Sequence, residues 1–187
     1  MKKIKGFAIV ALLSCTLLSF VETKAQSGIP ADTIKNIMIK DWERAKAYTQ
    51  DYLKAMPADK YTFKANDSIR TFAQQMLHIV QGTMFIVATG MGEKPMNFGN
   101  LEQRASAQTA DSVMYYVNQS YDFAIRSVKA LTPASMMQTA SVTMGQTLTE
   151  TRMNWINKAF EHQTHHRGQT TIYLRMAGVR PPNERLF

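Results

Sequence analysis

Apolar residues recur along most of this chain at intervals of three and four. Ile34, Ile37, Met38, Trp42, Ala45 and Tyr52 place a first helix at about Asp32 to Met56. The stretch MPADKYTFKAND breaks the repeat. Asn66, Asp67 or Ser68 then offers a cap for a second helix with the apolar set Ile69, Phe72, Met76, Ile79, Val80 and Phe85. The glycines and proline of TGMGEKPMNFGN predict a loop. A third helix is expected from Leu101 to Ala130, through Val113, Tyr116, Val117, Tyr121, Ala124 and Val128. LTPASMMQTASVTMGQ reads as an irregular connection. A fourth helix is expected from Thr147 to Ala177, through Leu148, Trp155, Ile156, Ala159, Phe160, Ile172, Tyr173 and Met176, with Gly178 and Pro181-Pro182 ending it. No segment alternates convincingly with period two, and there are no internal repeats. The economical architecture is all-α: a four-helix bundle, up-down-down-up or similar, with a long connection between the third and fourth helices.

The N-terminus stands apart from this pattern. Lys2, Lys3 and Lys5 precede an apolar run from Phe7 to Val21, and Thr23 and Ala25 sit at −3 and −1 of a cut before Gln26. That is the layout of a secretory signal peptide over residues 1–25, and the run is short for a membrane span. LLSC, ending at Cys15, offers a lipoprotein site as the alternative. Cleavage before Gln26 removes 25 of 187 residues and leaves a single domain of 162, long enough to bury a core. The expected location is exported, either periplasmic or secreted, with no stable membrane span after cleavage.

Charge and cysteine then narrow the function. The formal net charge is +8; the leader holds four lysines and one acid, so the mature chain carries +5. The basic residues are scattered, and neither a basic stripe nor a nucleic-acid partner is indicated. The single cysteine, Cys15, lies in the leader, so the mature chain has no disulfide, thiol nucleophile or thiolate ligand. The thirteen methionines suit gap-filling in a helical core.

HQTHHRGQ, residues 162–169, holds three of the four histidines. A metal site, a proton-relay cluster and a solvated helix face are all consistent with it. On a helix, His162 and His166 are separated by about 40° of rotation and about 6 Å of rise, so both imidazoles can address one ion. His165 turns about 60° to the other side of His162 and is left outside; His162 with His165 is the weaker pair. If the second helix packs beside the fourth, His78 completes a three-histidine set, which leaves a position for water or substrate. Such a set suits zinc or nickel, and also iron, manganese or copper. Gln169 and Tyr173 return to the ligand face seven residues beyond His162 and His166. They are candidate catalytic helpers, one a hydrogen bonder and the other a proton donor or substrate contact. Trp155, seven before His162, is expected to pack beneath the site. Gly168 costs about 1 kcal/mol against alanine inside a helix, which either close approach of another backbone or tolerance explains.

HQTHHRGQTTIYLRMAGVRPP resembles the last helix of the DinB family, with its histidines four apart, Arg-Gly-Gln, and a Tyr-Leu-Arg-x-x-Gly ending. MPADKYTFKANDSIRTFAQQMLHIV resembles that family's first connection and second helix, which ends in the remaining ligand histidine. The resemblance spans about residues 32–182. It implies a four-helix bundle and a divalent metal, often nickel or zinc, held by three histidines that match His78, His162 and His166. Members and relatives include thiol-dependent S-transferases and a maleylpyruvate isomerase, and homodimers are common. Export sets this chain apart from the thiol-dependent members, whose cofactors are mainly cytosolic. The expected function is a metal-dependent hydrolase or thiol transferase acting on an unassigned small molecule. The alternative is a non-catalytic metal- or small-ligand-binding envelope protein whose metal is structural.

Overall fold

The computed structural model describes residues 28–187; the expected leader, the expected cut before Gln26 and Cys15 lie outside them. Four long helices form the bundle: α1 (Ala31–Ala55), α2 (Phe72–Met91), α3 (Ala110–Ala130) and α5 (Arg152–Met176). A single turn, α4 (Pro133–Met136), and a hairpin, β1 (Thr139–Met144) with β2 (Gln146–Thr151), fill the connection before α5. Side-chain pairs fix the directions. Lys46 meets Asp122 and Gln50 meets Asn118, so α3 runs against α1. Gln75 meets Gln169 and Gly90 meets Trp155, so α5 runs against α2. Trp42 packs on Phe160 and Tyr52 bonds Thr171, so α5 runs with α1. The order is therefore up-down-down-up. No helix among the described residues is long and apolar enough to cross a membrane.

The elements differ from the sequence expectation where local chemistry outweighs periodicity. Helix α2 starts at Phe72 rather than after Asn66, Asp67 or Ser68, because Thr71 and Gln74 close a capping box. It runs on to Met91 and ends at Gly92, whose φ of 71° suits a residue without Cβ. Helix α3 starts at Ala110, capped by Thr109, and not at Leu101. Residues 101–109 form turns that bury Leu101 and hold Glu102 against α2. The fourth long helix begins at Arg152, capped by Thr151, and Leu148 belongs to β2.

The hairpin corrects the expectation that no strand exists. It turns at Gly145 (φ 77°), with Thr139 opposite Thr151. Its cross-strand bonds join hydroxyls, Ser141 to Thr149 at 2.8 Å and Thr143 to Thr147 at 3.1 Å. Neither face is buried, so the hydrophobic alternation that announces a strand is missing. Trp155 secures it by donating from Nε1 to the Ala140 carbonyl at 3.0 Å. That tryptophan lies two turns from His162 on α5 and braces the hairpin rather than underlying the site.

The core is aromatic and partly polar. Trp42, Tyr121 and Phe72 are its largest fully buried side chains. Between α1, α3 and α5 lies a cluster in which Tyr121 donates to Gln163 Oε1 at 2.8 Å and Arg167 Nη1 donates to the same oxygen at 2.7 Å. The Thr49 hydroxyl sits 2.7 Å from that of Tyr121. Buried polar groups are costly unless partnered, and these partner one another.

Candidate metal centre

Helix α2 presents His78 and, one turn on, Gly82; α5 presents His162 and His166, also one turn apart. The helices run in opposite directions, so the two faces meet. The three imidazoles each offer a nitrogen, and these nitrogens all lie within 4.8 Å of one another. Ring centroids are 4.4 Å apart for His78 and His166, 4.5 Å for His162 and His166, and 5.2 Å for His78 and His162. The set can hold a metal ion. His165 is exposed and outside it, with its ring 4.9 Å from that of His166 and its Nε2 near Gln169.

Gly82 is what admits His162. A Cβ there would lie 2.7 Å from both ring nitrogens of His162, and closer still to Cε1. Two turns further along α2, a Cβ on Gly90 would lie 2.5 Å from Trp155 Cβ. The two glycines allow α5 to lie unusually close to α2 along one seam. Gly168, by contrast, has no atom of the described residues within 4 Å of its Cβ position, so none of their backbone approaches it.

Neighbouring polar groups orient the rings. His78 Nδ1 is 2.8 Å from Glu102 Oε1, and Arg70 Nε donates to Glu102 Oε2 at 2.6 Å. His166 Nδ1 lies 2.8 Å from the Gln75 amide nitrogen and 3.0 Å from Gln169 Oε1, so either tautomer finds a partner. With Nδ1–H donated to Glu102 and to Gln169, the Nε2 lone pairs of His78 and His166 are the unused ones. His162 Nδ1 is buried without a hydrogen-bond partner among the described residues, so this ring has capacity that they do not use. Burial, reinforced by the neighbouring histidines, pushes His162 and His166 down to about 4. Both rings are therefore neutral near pH 7, the state a cation needs. The donor set fits a borderline divalent ion.

Two clefts flank the rings. One of 630 Å³ is lined by Arg70, Gln75, Glu102, Gln169, Ile172 and Tyr173. The other, of 580 Å³, reaches His78 and Gly82 and shares Arg70 and Glu102. Tyr173 is buried, packs on Phe72, and donates its hydroxyl to the Arg70 carbonyl at 2.8 Å. Burial raises its pKa, so it stays a hydrogen-bond donor. From sequence, Gln75 and Gly82 fall on the polar helical stripe of His78 without a specific role, and Arg70 and Glu102 were missed. Gly82 carried a signal, a glycine one turn beyond a histidine within a helical pattern. Glu102 carried none, because it reaches His78 from a turn.

The DinB family model matches residues 31–185. Two solved structures share the fold. A DinB-like protein from Bacillus cereus ATCC 10987 is 17% identical with a TM-score of 0.66, covering 79% of this chain and 95% of that one. A DinB-like protein from Bacillus subtilis, YjoA, is 15% identical with a TM-score of 0.59, covering 81% and 97%. At these identities the likeness is one of fold. No curated protein matches the chain.

Proposed function

The chain belongs to the DinB family, and from that premise and its three gathered imidazoles we propose an exported, divalent-metal-dependent enzyme acting on a small molecule. The reaction class is hydrolysis or thiol transfer. The observation that carries the reading is the set His78, His162 and His166, with ligand nitrogens within 4.8 Å and no fourth His, Cys, Asp or Glu joining them among the described residues. Three protein ligands leave a coordination position open, as catalytic sites do, whereas a bracing site is closed by a fourth. A bound zinc or nickel ion would supply Lewis-acid activation at neutral pH.

The chain's own groups do the rest. Glu102 fixes the His78 ring, and Gln75 with Gln169 fixes His166. Arg70, 41% exposed in its side chain and lining both clefts, is placed to receive an anionic part of a substrate. Tyr173 offers a hydroxyl at the wall of the larger cleft. Export rests on the leader pattern, and N-terminal mass spectrometry of the exported protein should find Gln26 first; an intact leader or a lipid on Cys15 would replace that assignment.

The test begins with untagged protein that has never met nickel resin. Elemental analysis should find close to one zinc or nickel ion per chain, and a metal-free, fully folded preparation would refute the site. Ester and amide panels, and thiol-acceptor panels, should then show turnover that chelation and His166→Ala both remove. A full metal load without any exchangeable coordinated water would instead establish the bracing role.

A further inference from the structure

On the side of α5 turned away from the histidines, the helix, α1 and the C-terminal tail border a separate, solvent-open cavity of 800 Å³. Thr164, Gly168, Thr171 and Arg175 of α5 line it. At 100° per residue they fall roughly 180° around the helix from His162 and His166. Arg167 lines it too, and is 6% exposed. A buried guanidinium is normally matched by a carboxylate. Arg167 has no carboxylate within 4 Å among the described residues: its bonds run from Nη1 to Gln163 Oε1 (2.7 Å), Thr49 Oγ1 (3.4 Å) and the Ala45 carbonyl (3.5 Å), and its guanidinium carbon sits 4.7 Å from the Tyr48 ring centroid. Nε and Nη2 make no hydrogen bond among the described residues. Of the other arginines on the wall, Arg44 pairs with Asp41 and Arg185 with Asp51, while Arg175, Arg180 and the carboxylate of Glu184 are exposed to solvent and make no ion pair among the described residues, so Arg167 is the buried cation of the cavity.

Gly168 lies on the same wall, exposed and within α5, where glycine is disfavoured. No atom of the described residues comes within 4 Å of its Cβ position, so a side chain added there would project into the open space beside Arg167. Tyr48, Phe160, Pro181 and Pro182 give the same cavity apolar walls. The geometry points to a second binding site, for a small organic carboxylate. One buried cation is balanced by one negative charge, and the unused Nε and Nη2 form the fork that takes two carboxylate oxygens side by side. The apolar walls take the remainder of the ligand, and a side chain at 168 would occupy its place.

The probe is sodium benzoate, titrated calorimetrically into the untagged protein, with sodium phosphate as a second arm and sodium chloride at matched ionic strength as the blank. Benzoate should bind saturably at one per chain and at least tenfold more tightly than phosphate. Gly168→Leu, with unchanged circular dichroism and a melting temperature no lower than wild type, should weaken benzoate at least tenfold. Arg167→Lys, which keeps the charge and removes the fork, should do the same if it folds. His166→Ala should retain binding, which separates this cavity from the metal centre. Equal or tighter binding of phosphate overturns the carboxylate assignment. No saturable benzoate binding, or binding undiminished in Gly168→Leu, overturns the site.

Discussion

Gly82→Ala is the sharpest test of how the metal centre is built, because it alters no ligand. An alanine Cβ would sit 2.7 Å from both nitrogens of His162, where ordinary contacts are 3.4–4 Å. The methyl is fixed to the α2 backbone, so the ring must give way, by about 1 Å or more at its nearest edge. Metal–nitrogen bonds tolerate only about 0.2 Å. The displaced ring is therefore lost as a ligand, and a three-nitrogen site becomes a two-nitrogen one. Removing groups that merely support a ligand costs about 10–100-fold in affinity, so losing a ligand should cost at least about 100-fold, or about 2.7 kcal/mol. The metal-free fold should change little, since alanine recovers about 1 kcal/mol of helix propensity against the cost of moving one ring. Thermal unfolding with and without chelator separates the two effects. At a free ion concentration of about 100 times Kd, wild type gains about 2.7 kcal/mol from the ion. For a domain of this size that is roughly 5–10 °C, which chelation should remove. The variant should melt at nearly the same temperature with or without chelator. A variant that keeps one ion per chain at wild-type affinity would refute the reasoning, by showing that His162 is either not confined by Gly82 or not a ligand.

Three further outcomes are expected. His162→Ala and His166→Ala should each abolish stoichiometric metal in elemental analysis while His165→Ala retains it; equal losses from all three would put the ligand face elsewhere on α5. Glu102→Ala should weaken metal binding about 10–100-fold in competition with a chromophoric chelator, by freeing the His78 ring, and wild-type affinity would show that the 2.8 Å contact is idle. Metal-free protein should lose stability on acidification, because His162 and His166 are held near 4 against 6.5 in the unfolded chain. Depressed folded values mean that the unfolded state binds more protons in this window. The contribution is whole above about pH 6.5 and is lost as pH falls toward 4, on the order of 1–2 kcal/mol per ring after allowing for solvent screening. Urea midpoints that stay flat between pH 7 and pH 4.5 would contradict it.

The bundle was legible because its helices carry their signals locally. Trp42, Ala45 and Tyr52 on α1, and Val117, Tyr121 and Ala124 on α3, are buried as their spacing predicts. Ile172 and Met176 were expected in the core but are more than half exposed, because Tyr173, Leu174 and Ala177 take the inward face of the last turns. The histidines were legible for a similar reason: four-residue spacing fixes His162 and His166 relative to each other. Their meeting with His78 depends on which helices are neighbours, and that is set by packing across the whole chain. Glu102 and the hairpin were not legible. The first acts from a turn whose position depends on α2, and the second pairs hydroxyls without burying either face.

The cluster of Tyr121, Gln163, Thr49 and Arg167 touches none of the histidines, yet it sets where they aim. Sliding α5 by one residue would swing its imidazoles about 100° off target. The same slip would pull the Gln163 amide away from its phenol and strand buried donors, at about 1–3 kcal/mol apiece. The helix is thus keyed like a shaft in a slot, and its rotational setting is stored in the hydrophilic centre of the bundle. Damage to that key would scatter the three imidazoles while leaving every histidine in the sequence.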